Sequence, residues 1–361
     1  MPALDRLFRL LKERGGSDLH LETGLAPRIR LHGHLESIDN APVLEPAALA
    51  ELLRELVTPV QWAAFQKDHD LDFAYGLEGV ARFRANYLYD QSGMAAVFRI
   101  IPSDIIPLAK LGLPPAIERF VHLAQGLVLV TGPTGSGKSS TLAAIIDLIN
   151  SSYAKHIVTI EDPIEFVHRP KRSVITQREV GAHTESFANA LRSAVRLDPD
   201  VILVGEMRDL ETIHLAMTSA EMGVLVFGTL HTNSARKTID RIIDAFPSDQ
   251  QNQARTMLSE SLAGVASQLL LRRRDGQGRV VASELLLRTS GLANIIREGN
   301  IPMLASVIES GRGDGMQSLD ESLMEHVKSG AIAPEDAFLK ANDKTRFATL
   351  LRAGGAVKAT S

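Results

Sequence analysis

The feature that most constrains this chain is the run Gly132-Pro133-Thr134-Gly135-Ser136-Gly137-Lys138-Ser139, which fits the pattern G-x-x-x-x-G-K-[ST] at every position. It follows the apolar run Leu127-Val128-Leu129-Val130 and precedes a stretch, Ser139 to Ile149, that reads as an amphipathic helix. Strand, tight turn and helix in that order commit the middle of the chain to an α/β layered architecture. Glycines let backbone N–H groups turn inward around a phosphate without a side-chain clash. The helix N-terminus adds positive partial charge behind them. Lys138 is placed to reach the β- and γ-phosphates of ATP, and the Ser139 hydroxyl to ligate Mg²⁺, with Ser140 completing the nucleotide-binding set. The alternative is a glycine-rich turn that binds nothing. A lysine held at such a turn is costly without an anionic partner, which argues against it.

Short continuous apolar runs recur after the loop: Ile157-Val158-Thr159-Ile160, Val201-Ile202-Leu203-Val204 and Val224-Leu225-Val226-Phe227, with helical segments between them. Strands buried on both faces read this way, so a parallel sheet is expected over 116–289. The remainder, 290–361, reads mostly as helix. Upstream the pattern differs. Residues 1 to about 14 are helically spaced, and Asp18 to Leu21 and Arg28 to Leu31 alternate as strands. A helix is expected from Pro46 to Phe65, then strands over 70–75, 81–87 and 94–101. Residues 1–101 thus form a small α+β domain on an antiparallel sheet. Pro102, Pro107, Pro114 and Pro115 mark a linker at 102–115.

With 361 residues there is length for two cores. A net charge of -4, with no basic run longer than Arg272-Arg273-Arg274, gives no nucleic-acid signature. Cysteine is absent, which removes disulfides, cysteine-ligated zinc and thiol catalysis. The first residues are too charged for a signal peptide, and the apolar runs fall far short of the ~20 residues of a spanning helix. A cytoplasmic protein is expected, with peripheral membrane association left open.

A phosphate-binding loop that supports hydrolysis needs acidic partners at neighbouring strand ends. Thr159-Ile160-Glu161-Asp162-Pro163-Ile164-Glu165 follows one strand, and Val204-Gly205-Glu206-Met207-Arg208-Asp209 follows the next. Carboxylates there sit on the ligand-binding edge of an open α/β sheet. Glu206 is the better member of the metal shell, and Glu165 the better residue to orient or deprotonate the attacking water. Glu161 and Asp162 read as ordinary loop carboxylates. His231, in Gly228-Thr229-Leu230-His231-Thr232, ends a further strand on the same edge, where structural and catalytic readings weigh about equally. His183 and His214 lack such a context.

Taken together, GPTGSGKS, TIEDPIEF, VITQREVG, DPDVILVGEMRDLETI and FGTLHTNSA resemble the secretion-type ATPases of type II and type IV pilus systems, most of all the pilus-retraction subfamily. GSDLHL, ARFRANYL and GMQSLDESL are similar to that subfamily as well. The resemblance implies an N-terminal PAS-like domain, a RecA-like ATPase core and assembly as a homohexamer. It implies an aspartate box with Glu165 in the catalytic position, a Walker B element at Glu206 and a histidine box at His231. It further implies that arginines of the N-terminal domain, here Arg82, Arg84 and Arg99, reach the nucleotide. Strand alternation puts Arg82 and Arg84 on one face, and arginine's fork of donors suits the charge of a transferring phosphoryl group. Without the resemblance, that face reads as solvated.

The implied task is ATP-driven retraction of pili for twitching motility. The implied partners are an inner-membrane platform protein and other pilus ATPases, at a cytoplasmic site against the inner membrane. The missing cysteines argue against the assembly and type II secretion ATPases, which carry a four-cysteine zinc element and a longer N-terminal region. One departure stands out. Where the retraction subfamily reads Ala-Ile-Arg-Asn-Leu-Ile-Arg-Glu, this chain has Gly291-Leu292-Ala293-Asn294-Ile295-Ile296-Arg297-Glu298, with Ala293 replacing the first arginine. An accessory retraction paralogue, a nucleotide-gated regulator or scaffold, and a nucleic-acid translocase remain as competing readings.

Overall fold

The computed structural model describes residues 2–31, 33–101 and 104–357, the side chains of 352–357 excepted. Met1, Pro102 of the expected linker and the last four residues of the C-terminal region lie outside the described residues. The chain divides into two compact units, Met1–Asp104 with Pro163–Val167, and Ile105–Asp162 with His168–Ser361.

The first unit contains α1 (Asp5–Glu13), β1 (Asp18–Glu22), β2 (Arg28–Leu31), β3 (His34–Ser37), α2 (Pro46–Arg54), α3 (Pro59–Asp68), β4 (Asp70–Leu77), β5 (Ala81–Asp90) and β6 (Gly93–Ile101). The strands pair antiparallel in the order β3-β2-β1-β6-β5-β4. Alternation gives the sheet one apolar face, on which Leu19, Ile29, Phe83, Tyr87 and Phe98 are buried. Phe8 of α1 stacks on Phe83 with ring centroids 4.3 Å apart, and Phe65 of α3 meets Tyr87 edge-on at 5.6 Å. The helix expected from Pro46 to Phe65 is in fact two. Thr58 caps α3: its Oγ1 accepts from Gln61 N at 3.3 Å, while the Gln61 side chain accepts from Thr58 N at 2.9 Å, and Pro59 takes the first helical position.

The second unit begins with short 3₁₀ turns at Leu108–Lys110 and Pro115–His122, which bury Leu108, Ile117, Phe120 and Val121 in its core. Then come β7 (Gly126–Thr131), α4 (Lys138–Ser152), β8 (His156–Glu161), β9 (Val174–Glu179), α5 (Phe187–Ala194), β10 (Val201–Val204), α6 (Leu210–Glu221), β11 (Leu225–Leu230), α7 (Ala235–Asp244), α8 (Gln251–Ser261), β12 (Leu262–Arg272) and β13 (Arg279–Leu287). Helices α9 (Ser290–Glu298), α10 (Leu304–Ser310), α11 (Leu319–Lys328), α12 (Pro334–Lys340) and α13 (Lys344–Val357) follow.

The sheet order is β13-β12-β7-β11-β10-β8-β9. Every pair is parallel except β12 with β13, which corrects the expectation of a wholly parallel sheet. A parallel neighbour needs a crossover of about a dozen residues or more, and the short connection 273–278 can only reverse the chain. Of this sheet's strands β9, β12 and β13 were not expected from sequence, nor was β3 of the first unit. The distal ends of β12 and β13 supply Leu271 and Ala282 to a separate apolar cluster with Leu319, Leu323, Ile332 and Phe347 of the C-terminal region.

Candidate nucleotide-binding and hydrolysis site

In the second unit, the C-terminal ends of β7, β8, β10 and β11 deliver the phosphate loop, Glu161, Glu206 and His231 respectively. All lie on the edge where ligands bind in an open α/β sheet.

Helix α4 starts at Lys138 with Gly137 as N-cap at φ 94°, and no side chain caps it. The first-turn amides of an α-helix have no intrahelical acceptor, and a helix start of this kind suits an anion. Gly135 has φ +76° and a Cβ there would meet nothing within 4 Å, so the loop is open on that side. Gly132 is different: at φ +146°, a Cβ would lie 2.2 Å from the Gln268 carbonyl oxygen. Its glycine is required by the close passage of β12 rather than by a phosphate. Lys138 Nζ donates to the carbonyls of Gly132 at 2.8 Å and Pro133 at 3.2 Å, which holds the ammonium over the loop. Ser139 is exposed in the first turn of the helix, while Ser140 beside it is half-buried. Pro133 and Thr134 form the exposed outer side of the loop, and Ser136 is buried.

Glu206 and His231, each expected on this edge, lie side by side. His231 Nε2 lies 3.1 Å from Glu206 Oε1, and Arg208 Nε lies 2.5 Å from the same oxygen. Burial pushes the Glu206 carboxyl up, but the hydrogen bond and charge of Arg208, with His231, outweigh it and hold the group below its ordinary value. Backbone contacts fix the loop: Met207 N donates to Thr229 O at 3.0 Å, and Thr229 Oγ1 donates to Gly205 O. Gly228 is needed under it, since a Cβ there would sit 2.4 Å from Met207 Sδ. Arg208 is a member of this cluster that the sequence did not single out, although it stands two residues from Glu206.

A sequence profile of the family described as type II/IV secretion system protein matches residues 3–336. The chain belongs to the type II/IV secretion system protein family. This family member is 50% identical over 317 residues to the twitching motility protein of Neisseria gonorrhoeae, covering 88% of this chain and 84% of the relative. It is 48% identical over 344 residues to the type IV pilus retraction ATPase PilT of Pseudomonas aeruginosa, covering 95% and 99%. The crystal structure of the pilus retraction motor PilT with bound ADP superposes with a TM-score of 0.89 at 44% identity, covering 96% of this chain and 98% of that one. With its loop intact, this secretion-family protein is a nucleotide-binding ATPase with a RecA-like core and an N-terminal domain.

Beyond the loop, the secretion-family site is braced by residues that sequence reasoning missed. Gln268 of β12 bonds the loop directly, and its neighbour Ser267 bonds Thr131 at the end of β7. Ser267 Oγ and Thr131 Oγ1 are 2.7 Å apart, Thr131 and Thr238 hydroxyls 3.4 Å, and Thr238 and Thr232 hydroxyls 2.6 Å. This hydroxyl chain runs from the base of the phosphate loop to the residue beside His231. Glu284 of β13 is buried and accepts from the first amide of α7, Ala235 N, at 2.7 Å. The backbone of Leu319, the first residue of α11, is near enough to favour its charged form. Burial raises the Glu284 pKa, and the nearby Asp320 adds to the rise, against the Ala235 hydrogen bond and the Leu319 backbone. Nothing in the spacing of these residues marks them, since each earns its place only through the strand pairing.

The remaining expected residues belong to the first unit. Arg84 is the direct cross-strand neighbour of Arg99, and strand alternation places Arg82 on the same face. Arg99 Nε donates to the buried Asp18 Oδ1 at 2.7 Å, and Arg84 lies 3.9 Å from Asp72. Burial pushes Asp18 up, but hydrogen bonds from Ser17 and Arg99 prevail and lower its pKa. Glu165 is half-buried within Pro163–Val167, the segment that groups with this unit.

Mg²⁺ fits the donors in a particular way. Among the described residues no three acidic or histidine side chains gather into a metal cage. Mg²⁺ is commonly held by one or two protein oxygens together with substrate phosphates, and Ser139 and Glu206 offer such oxygens. No helix among the described residues is long and apolar enough to cross a membrane.

Proposed function

We propose that this chain is the ATP-hydrolysing motor that powers retraction of type IV pili in twitching motility. The observation that carries the reading is the phosphate loop joined to the Glu206–His231 pair in a chain so near to relatives named for twitching and pilus retraction. In the proposed site, the loop Gly132 to Ser140, through amides at its helical end, and Lys138 hold the phosphates. Glu165 orients and deprotonates the attacking water, and Glu206 shares the metal shell with Ser139. Mg²⁺, when bound, neutralises the β- and γ-oxygens. Arg82, Arg84 and Arg99 stabilise charge on the transferring group, so turnover depends on how domains are arranged in a homohexamer. The ring works at the cytoplasmic face of the inner membrane on a platform protein, alongside other pilus ATPases, and takes no nucleic acid.

The test is genetic and enzymatic together. Cells lacking the protein are expected to keep surface pili and lose twitching, and Lys138→Ala or Glu165→Gln should not restore it. Loss of pili would instead indicate an assembly motor. Purified Glu165→Gln protein that retains near-normal turnover would remove Glu165 from the site. A second reading, an accessory retraction paralogue, is favoured by Ala293 alone. Normal twitching in the deletion strain would establish it in place of the principal role.

A further inference from the structure

We infer that Gln268, on β12, is a positioning residue that aims one amide of the phosphate loop at the nucleotide. The inference rests on the reading of that loop as the phosphate site. Gln268 is 3% exposed, and both ends of its carboxamide are engaged. Nε2 donates to the Ser136 carbonyl at 2.8 Å, and Oε1 accepts from Thr141 Oγ1 at 3.0 Å. A carbonyl oxygen can only accept, so the amide end facing Ser136 is necessarily the NH₂. The Thr141 hydroxyl, on α4, then fixes the other end.

The consequence follows from peptide geometry. In a trans peptide the C=O of one residue and the N–H of the next point in opposite directions. Drawing the Ser136 carbonyl toward β12 therefore turns the Gly137 N–H away from β12 and into the loop. Gly137 admits this arrangement because a Cβ there would stand 3.1 Å from Gln268 Nε2. The loop thus owes the direction of an anion-binding amide to a side chain more than a hundred residues downstream. Gln268 touches no substrate, and acts through the peptide between Ser136 and Gly137.

The experiment compares full-length Gln268→Met, Gln268→Glu and Thr141→Val by calorimetric titration with ADP in the presence of Mg²⁺, alongside ATP turnover. A misaimed amide weakens a charge-assisted hydrogen bond made in ground and transition state alike, so ADP binding should fall about tenfold in Gln268→Met. The ATP KM should rise in step, with a smaller fall in kcat. Gln268→Glu should bind more weakly still, because a carboxylate cannot donate to Ser136. A residue that merely fills space would rank the variants the other way, with the polar, near-isosteric Glu closest to wild type. Thr141→Val should cost about threefold, and it decides the matter if Gln268→Met is insoluble. ADP binding at wild-type strength in Gln268→Met, or in Thr141→Val where that variant decides, overturns the inference. So does a fall in kcat as large as the rise in KM together with a lowered Tm. Lys138→Ala separates the two levels: if that variant still binds ADP normally, the loop reading itself fails.

Discussion

Gly132 and Gly135 differ in what a methyl group would meet. At Gly132 it would strike the Gln268 carbonyl oxygen, and no side-chain rotation relieves a clash with backbone. At Gly135 it would meet open space, leaving only the cost of a left-handed backbone, about 1–2 kcal/mol. Gly132→Ala is therefore expected to lose nucleotide binding and several degrees of Tm, and Gly135→Ala to lose far less stability. Thermal melts with and without ADP measure both. Glu206 adds a pH dependence. Its carboxyl is held below the ordinary value of 4.5, so its stabilising contribution is present above that pH and is lost as pH falls through the lowered folded-state value. The Tm advantage of wild type over Glu206→Gln should be full at neutral pH and shrink in acid. An advantage that grew on acidification would contradict the pairing with Arg208 and His231.

At the scale of elements, the sequence was most legible where one period runs without interruption. Strands β7, β8, β10 and β11 are continuous apolar runs, and the loop after β7 has a fixed spelling. Strand β12 was hidden because Ser267 and Gln268 break its apolar run, and those are the two residues that brace the site. A strand whose polar residues face a neighbouring loop resembles a helix or a loop until its partner is known. The break between α2 and α3 was written in Thr58-Pro59-Val60-Gln61, a capping box whose reach is local. Arg208 and Glu284 were not legible, since their partners are set by tertiary contact. Glu284→Ala would leave the first amide of α7 without an acceptor in a buried place, at a cost of about 1–3 kcal/mol. Chemical denaturation measures it, and a change below 1 kcal/mol would show that water or relaxation replaces the carboxylate.

At the scale of the whole molecule, the arginines proposed to stabilise the transferring group lie in the first unit. Arg84 is the informative position, because it is exposed and its contact with Asp72, at 3.9 Å, is loose. Arg84→Ala should leave Tm and ADP affinity near wild type while kcat falls on the order of a hundredfold or more, the scale of an arginine supplied to a phosphoryl transfer. Arg84→Lys should not restore it, since a point charge lacks the fork. Unchanged kcat would return that sheet face to a solvated role. Within the second unit, Glu284 of β13 fastens the start of the helix that follows His231. That helix start cannot open to water without releasing a buried carboxylate. The Ala235 amide should therefore trade hydrogen for deuterium slowly, and more slowly still when nucleotide stiffens the edge of the sheet.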